Sequence, residues 1–269
     1  MVLSMKIAIL GTRGIPNEYG GFEQFAEHLS TGLVNRGHQV VVYNPSWHSY
    51  QKEFFKGVEI IKKHCPEKTI GSLAHFLYDW ICSKDAKKKG FDIIYHAGYL
   101  SAGPSIYFLS KKSDVCWVTN MDGLEWKRDK WNKPVKWLAK QMEKIVVKHS
   151  NYIISDNIGI QKYYTEKFKA NSKFLPYGAA IPEYVSDQFL EEFKLKINRY
   201  YILVSRLEPE NSIETILDGF CESKSKTPFI VVGRNNTRYG EFLKRKYHSN
   251  DKIIFVGGVY NINKLNSLR

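Results

Sequence analysis

The chain has 269 residues, of which 43% are hydrophobic, 14% aromatic and 25% charged. That apolar content offsets the entropy of ordering and excludes a disordered, collagenous or coiled-coil chain. Forty Lys and Arg against 27 Asp and Glu leave a formal charge of +13, which attracts polyanions such as nucleic acid, acidic lipid headgroups or phosphorylated small molecules.

From residue 6 the sequence alternates short β-branched runs with helix-length amphipathic stretches. The run KIAILG is followed by a predicted helix over 22–36, then by HQVVVYN and GVEIIKK, the grammar of βαβ units. Further strands are expected at 91–96, 114–119, 151–155 and 172–175, with helices at 72–88, 101–111, 133–149 and 158–169, making a doubly wound sheet. The stretch PYGAAIP at 176–182 reads as a linker. A second series follows, with helices at 187–195, 211–222 and 239–248 and strands at 200–205, 229–232 and 253–256. The expected domains are therefore 1–178 and 179–269. The second has only three strands, which leave an open hydrophobic edge, so it is expected to be incomplete.

Apolar runs such as 7–10 and 201–204 are strand-length and fall short of the roughly 18 residues that a bilayer crossing needs. The start reads as a first strand rather than a secretory signal, so a cytoplasmic location is expected. Cys65, Cys82, Cys116 and Cys221 form no C-x-x-C pair, which fits free thiols in a reducing compartment and no zinc site. No H-E-x-x-H or G-x-S-x-G pattern exists either.

Three blocks carry candidate chemistry. The first, Gly11-Thr12-Arg13-Gly14 through Tyr19-Gly20-Gly21 to Glu23, turns from the first strand into a helix, where backbone amides and a helix N-terminus can approach an anion. It is neither the G-x-G-x-x-G dinucleotide fingerprint nor a P-loop, and the second strand ends in Asn44 where a ribose-binding carboxylate would stand. The second block runs from Asn120 through Asp122, Glu125 and Trp126 to Trp131. It follows a strand, so its carboxylates can hold sugar hydroxyls or assist proton transfer. The third, Ser205-Arg206 to Asn211, places an arginine between a strand and a helix, as an anion clamp does.

On a wheel at about 100° per residue, helix 133–149 gathers Val135, Leu138, Met142, Ile145 and Val146 on one face. Lys133, Lys136, Lys140, Lys144 and Lys148 gather on the other, with Trp137 among them. A Trp on a basic face suits an anionic membrane surface; an ordinary solvated helix face has the same pattern.

In this order the blocks resemble the retaining glycosyltransferases of family four, which have the GT-B fold. The closer resemblance is to the bacterial rhamnosyltransferase-like branch with the DUF1972-type N-terminal domain, which opens like Gly11-Thr-Arg-Gly-Ile-Pro and carries a segment like Asp122-Gly-Leu-Glu-Trp-Lys-Arg128. The resemblance implies two Rossmann-like α/β domains facing each other across a cleft, an acceptor side at 1–178 and a partial nucleotide-sugar side at 179–269. It implies donor-phosphate contacts at Gly20, Gly21, Arg206 and Asn211, an orienting role for Asp122, and acceptor or loop contacts at Thr12, Arg13, Tyr19, Glu23 and Glu125. Asn211 stands where the family commonly has Lys, removing one cation. The family's E-x7-E donor segment would lie past residue 269, so little transfer is expected of these residues alone. The implied function is transfer of L-rhamnose from dTDP-rhamnose to a cell-surface glycan or lipid-linked acceptor, peripherally at the inner face of the membrane, with no metal, no cofactor and no nucleic-acid partner. A GT-B sugar-nucleotide epimerase and a silent membrane- or glycan-binding module are the alternatives.

Overall fold

The computed structural model describes residues 3–111, 113–128, 131–178, 181 and 188–269. The chain divides into two compact units, Met1–Gly178 and Ala179–Arg269. Of the expected linker, residues 179, 180 and 182 lie outside the described residues, as do 129 and 130 of the second block.

The first unit runs β1 (Lys6–Leu10), α1 (Gly21–Val34), β2 (Gln39–Pro45), β3 (Phe54–Phe55), β4 (Val58–Lys63), α2 (Glu67–Ile70), α3 (Ala74–Lys88), β5 (Ile93–His96), α4 (Gly103–Leu109), β6 (Cys116–Asn120), α5 (Lys133–His149), β7 (Tyr152–Ser155), α6 (Ile158–Phe168) and β8 (Lys173–Phe174). The sheet order is β3-β4-β2-β1-β5-β6-β7-β8. Every pair is parallel except the β3–β4 hairpin, a two-residue edge that the alternation of longer runs does not reveal.

Central β1 shows why the run KIAIL forms a strand buried on both sides. Ile7 and Ile9 face the core that Ala26 of α1 closes, with Val40, Val42 and Val58. Ala8 and Leu10 face the opposite core, closed by Tyr78 and Cys82 of α3, Ile106 of α4, Val146 of α5 and Tyr164 of α6. Helices thus cover both faces, which leaves the carboxyl ends of the strands as the ligand-accessible edge of such a sheet.

The second unit runs α7 (Gln188–Glu191), β9 (Tyr201–Val204), α8 (Ile213–Glu222), β10 (Phe229–Val232), α9 (Arg238–Lys246), β11 (Ile253–Gly257) and α10 (Ile262–Leu268). The expected helix over 187–195 is only the single turn of α7 among the described residues. The parallel sheet has the order β11-β10-β9. Central β10 alternates Phe229 and Val231 toward α8 and α9 with Ile230 and Val232 toward α7 and α10. Tyr201 and Val204 on edge strand β9 stay partly exposed.

Among the described residues four helices start on side-chain caps. Asn132 accepts from the Val135 amide at 3.1 Å, Asn157 from Gly159 at 2.7 Å, Thr237 from Gly240 at 3.1 Å and Asn261 from Lys264 at 3.0 Å. Helix α1 has no such cap: it opens on Gly20.

Candidate functional site at the strand carboxyl ends

The glycine-rich turn between β1 and α1 is fixed by its own neighbours. Thr12 Oγ1 accepts from the Gly14 amide at 3.1 Å, Glu23 Oε1 from the Arg13 amide at 2.9 Å and Glu27 from the Asn17 amide at 2.9 Å. Asn44, at the end of β2, takes the Ile15 amide at 3.0 Å and returns its own Nδ2 to the Ile15 carbonyl at 2.7 Å. Gly14 has φ +96°, and a Cβ there would lie 2.4 Å from Asn44 Cγ, so glycine is required by both conformation and packing. Asn17 Oδ1 accepts from the amides of Tyr19 and Gly20 at 3.0 and 3.1 Å.

The turn's amides at residues 13, 14, 15, 17, 19 and 20 are therefore already bonded within the protein. The Gly20 amide is committed to Asn17, while the first turn of α1, starting at Gly21, has no side-chain cap. No atom lies within 4 Å of where a Cβ on Gly21 would sit, so packing does not demand a glycine there.

Arg13 is also engaged. Its guanidinium binds both oxygens of the Glu67 carboxylate and lies 3.7 Å above the centre of the Tyr19 ring. His75 Nε2 approaches the same carboxylate at 3.5 Å. Burial pushes the Glu67 carboxyl up, but the bonds and charge of Arg13 more than offset it and hold it below its ordinary range. Arg13, Tyr19 and Glu23 thus brace the turn, and Glu67 and His75 were absent from the sequence-derived set.

The ends of β5, β6 and β7 differ. Asp122 follows β6, and its Oδ1 lies 3.9 Å from where a Cβ on Gly98 would sit. Burial first, and then the charges of Glu125 and Asp156, raise its carboxyl to about 7. Asn120 is buried and donates to the Tyr177 hydroxyl at 2.9 Å, while its Oδ1 has no hydrogen-bond partner. The buried Tyr95 hydroxyl has none either. Phe25 of α1 packs 4.9 Å from the Tyr177 ring and 6.0 Å from Tyr95. Asp156, after β7, is raised by burial and acts on Tyr95, Asp122 and Tyr177 through its charge. Tyr95, Asn120, Asp122, Asp156 and Tyr177 together form an acidic, partly unsatisfied cluster that can accept hydrogen bonds from hydroxyl groups. Of these, Asn120 opens the second block read from the sequence, and Asp122 alone was given a role there. Reading the residue at each strand's carboxyl end would have found Asp156.

The segment after Asp122 is held by two carboxylates. Glu125 accepts from Arg128 at 2.8 Å and from Trp131 Nε1 at 3.0 Å, one bond to each oxygen, which gives it a bracing position. Glu143 of α5, fully buried, accepts from Trp126 Nε1 at 3.2 Å, the Tyr163 and Tyr164 hydroxyls at 2.9 and 3.2 Å and Lys167 at 3.4 Å. The wheel had put only apolar side chains on the inner face of α5. Glu143 sits at that face's margin and is carried inward by these donors. Lys133, Lys140 and Lys144 are exposed, Lys136 is half-buried, and Trp137 is 64% exposed.

In the second unit the Arg206 guanidinium is exposed and lies 3.9 Å from Glu210. Asn211 turns its amide onto the Arg206 carbonyl at 2.7 Å and so closes the loop under the arginine. Among the described residues no group of three His, Cys, Asp or Glu gathers as a metal site.

Residues 4–180 match the family described as a domain of unknown function, DUF1972, and the chain belongs to that family. No curated protein matches the sequence. Among solved structures, sucrose-phosphate synthase from Thermosynechococcus elongatus superposes with a TM-score of 0.77 at 16% identity, over 98% of this chain and 73% of that one. Alr3699/HepE from Anabaena, in complex with UDP-glucose, gives 0.69 at 14% identity, over 97% and 71%. A protein assigned as a UDP-N-acetylglucosamine 2-epimerase from Listeria monocytogenes gives 0.60 at 12%, over 96% and 70%. The fold is therefore α/β and GT-B-like, with two Rossmann-like sheets.

Proposed function

We propose that the protein binds a nucleoside-diphosphate sugar and transfers the sugar, with retention, to a cell-surface glycan or lipid-linked acceptor. The observation that carries this reading is the uncapped start of α1, whose first-turn amides have no side-chain acceptor, at a glycine that packing does not require and on the same sheet edge as the Asp122 cluster. A helix N-terminus with free amides favours a phosphate, and buried acceptors beside it favour hydroxyl groups. The likeness in fold to a protein solved with UDP-glucose supports the same ligand class.

In this reading the first-turn amides of α1 stabilise the charge that develops on the departing diphosphate. Asp122 orients the acceptor hydroxyl, with Asn120 and Asp156 beside it. Asn211, uncharged, adds no cation. L-rhamnose on dTDP is the donor that the family resemblance favours, and the lysine face of α5 supports a peripheral position against an anionic membrane on its cytoplasmic side. Among the described residues no helix is long and apolar enough to cross that membrane.

Epimerisation of the sugar nucleotide is the second reading. It is favoured by one observation, that the Asp122 carboxyl, raised to about 7, shares a cluster with that of Asp156, two carboxyls that can divide the acid and base roles when one is protonated and the other ionised. Calorimetric titration with dTDP, UDP and ADP tests the shared premise. Arg206→Ala should weaken binding by about 1 to 3 kcal/mol, the range of a charge-assisted hydrogen bond. Absence of any nucleotide affinity in the parent chain would overturn both readings. Proton NMR of a donor incubated with the protein then separates them, since an epimer forms without acceptor and a glycoside only with it.

A further inference from the structure

Helices α3, α4 and α5 lie side by side on one face of the first sheet. Trp80 of α3 stacks edge-on against Phe108 of α4 at 6.0 Å, and Gly103 of α4 abuts Met142 of α5. The outer surface of this layer carries large apolar side chains that stay exposed among the described residues. Leu73, at the entry to α3, is 64% exposed, Phe108 is 63% exposed, and Leu77 is also exposed, one turn past Leu73. Trp137 adds a fourth on α5. Scattered single apolar residues on a surface are ordinary, but four on three adjacent helices form a patch.

Charge says what the patch fits. Lys84 and Lys88 of α3, Lys111 after α4, and Lys133, Lys140, Lys144 and Lys148 of α5 are exposed. The carboxylates of the same helices are withdrawn. Asp79 is buried, and Glu143 is buried under four donors. Asp85 accepts from Tyr43 and pairs with Lys63 at 2.7 Å and Lys89 at 3.6 Å. These helices have no other acidic residue. Apolar side chains with a cationic rim and inward carboxylates match an anionic bilayer, with the apolar groups entering the acyl region and the ammonium groups at the phosphates. A solvated helix layer has no need to hide its acids.

We infer that the outer face of α3, α4 and α5 inserts Leu73, Leu77, Phe108 and Trp137 into an anionic lipid bilayer, an inference that rests on the proposed membrane placement and adds insertion to it. The first turns of these helices lie toward the strand carboxyl ends that carry Asp122, so insertion holds the candidate site near the lipid surface.

Flotation of the full chain with neutral phosphatidylcholine vesicles, and with vesicles of about one-quarter phosphatidylglycerol, tests it. Binding should be about tenfold tighter on the anionic vesicles. Brominated lipid should quench the part of the fluorescence that Trp137→Phe removes. The double variant L77E/F108E should lose about fivefold in affinity and the Trp137 quenching, and keep a residual adsorption that about 0.5 M salt abolishes. The double variant K140E/K144E should lose the preference for anionic lipid. Wild-type affinity and quenching in L77E/F108E would overturn insertion while leaving the lysine contact standing. Equal binding to neutral and anionic vesicles, or none, would overturn both. Should L77E/F108E melt early, L77S/F108S takes its place, with the same outcomes decisive.

Discussion

The turn from Gly11 to Gly20 and the cluster around Asn120 and Asp122 occupy the same edge of one sheet, yet they use their polar groups in opposite ways. In the turn six amides are matched to side chains packed around it, and the arginine is paired with Glu67. In the cluster Asn120 Oδ1 and the Tyr95 hydroxyl stay buried without partners, and burial with the charges of Glu125 and Asp156 raises the Asp122 carboxyl. Polar residues at a strand end are therefore not equally available for chemistry. Those already satisfied make a rigid frame, and unsatisfied buried ones keep the capacity to bind.

The largest expected effect falls on the frame beneath the cluster. Glu143→Ala should cost about 3 kcal/mol, because it takes the acceptor from the buried Tyr164 hydroxyl and from the Trp126 indole N–H, while the exposed Lys167 turns to solvent. Urea unfolding followed by tryptophan fluorescence measures this, and a loss below about 1 kcal/mol would remove Glu143 as the support of the Asp122 segment.

Next comes the pH response of the cluster. The carboxyls of Asp122 and of buried Asp79 both rise to about 7, chiefly through burial. Between their ordinary value of 3.8 and about 7 the folded chain holds protons that the unfolded chain has released. Stability therefore falls as pH rises through this window. Asp122→Asn should leave stability near pH 4 unchanged and raise it at pH 8 by about 2 kcal/mol, or about 4 °C in melting temperature. Calorimetric melts at both pH values check the sign, and an equal change at both would mean that Asp122 is ionised throughout.

Within the turn, Asn44→Ala removes both bonds that tie β2 to Ile15 and should cost about 1 to 3 kcal/mol. Its signature is local, since hydrogen exchange at the Ile15 amide should quicken while amides of β5 and β6 keep their protection. The smallest effect is a gain. Asn211→Lys adds a cation beside Arg206 and should strengthen binding of a nucleoside diphosphate by about threefold, an exposed charge being largely screened. Calorimetry that shows weaker binding would instead assign Asn211 its value through the bond to the Arg206 carbonyl.

Most of the fold was legible. Runs such as KIAIL and FIVV have the length and branching of buried parallel strands, and each expected strand lies within a residue or two of its place. The two-residue strand β3 was not, being too short to show a period. On α5 the lysine face was legible from the wheel, but Glu143 was not, because its burial depends on tyrosines of α6 that come twenty residues later. Of the candidate site, Asp122 was named from the sequence through its place after a strand, whereas the bonds that turn Arg13, Glu23 and Glu125 into braces were not legible there.

What the sequence alone determined is the order of elements, since hydrophobic period and glycine placement act over neighbouring residues. Which polar groups remain free was decided only by the tertiary structure. Asn44 reaches Ile15 across 29 residues, Glu67 reaches Arg13 across 54, and Tyr177 reaches Asn120 across 57. A hydrogen bond depends on distance and direction in space, and parallel strands bring side chains together only after the intervening helices have packed.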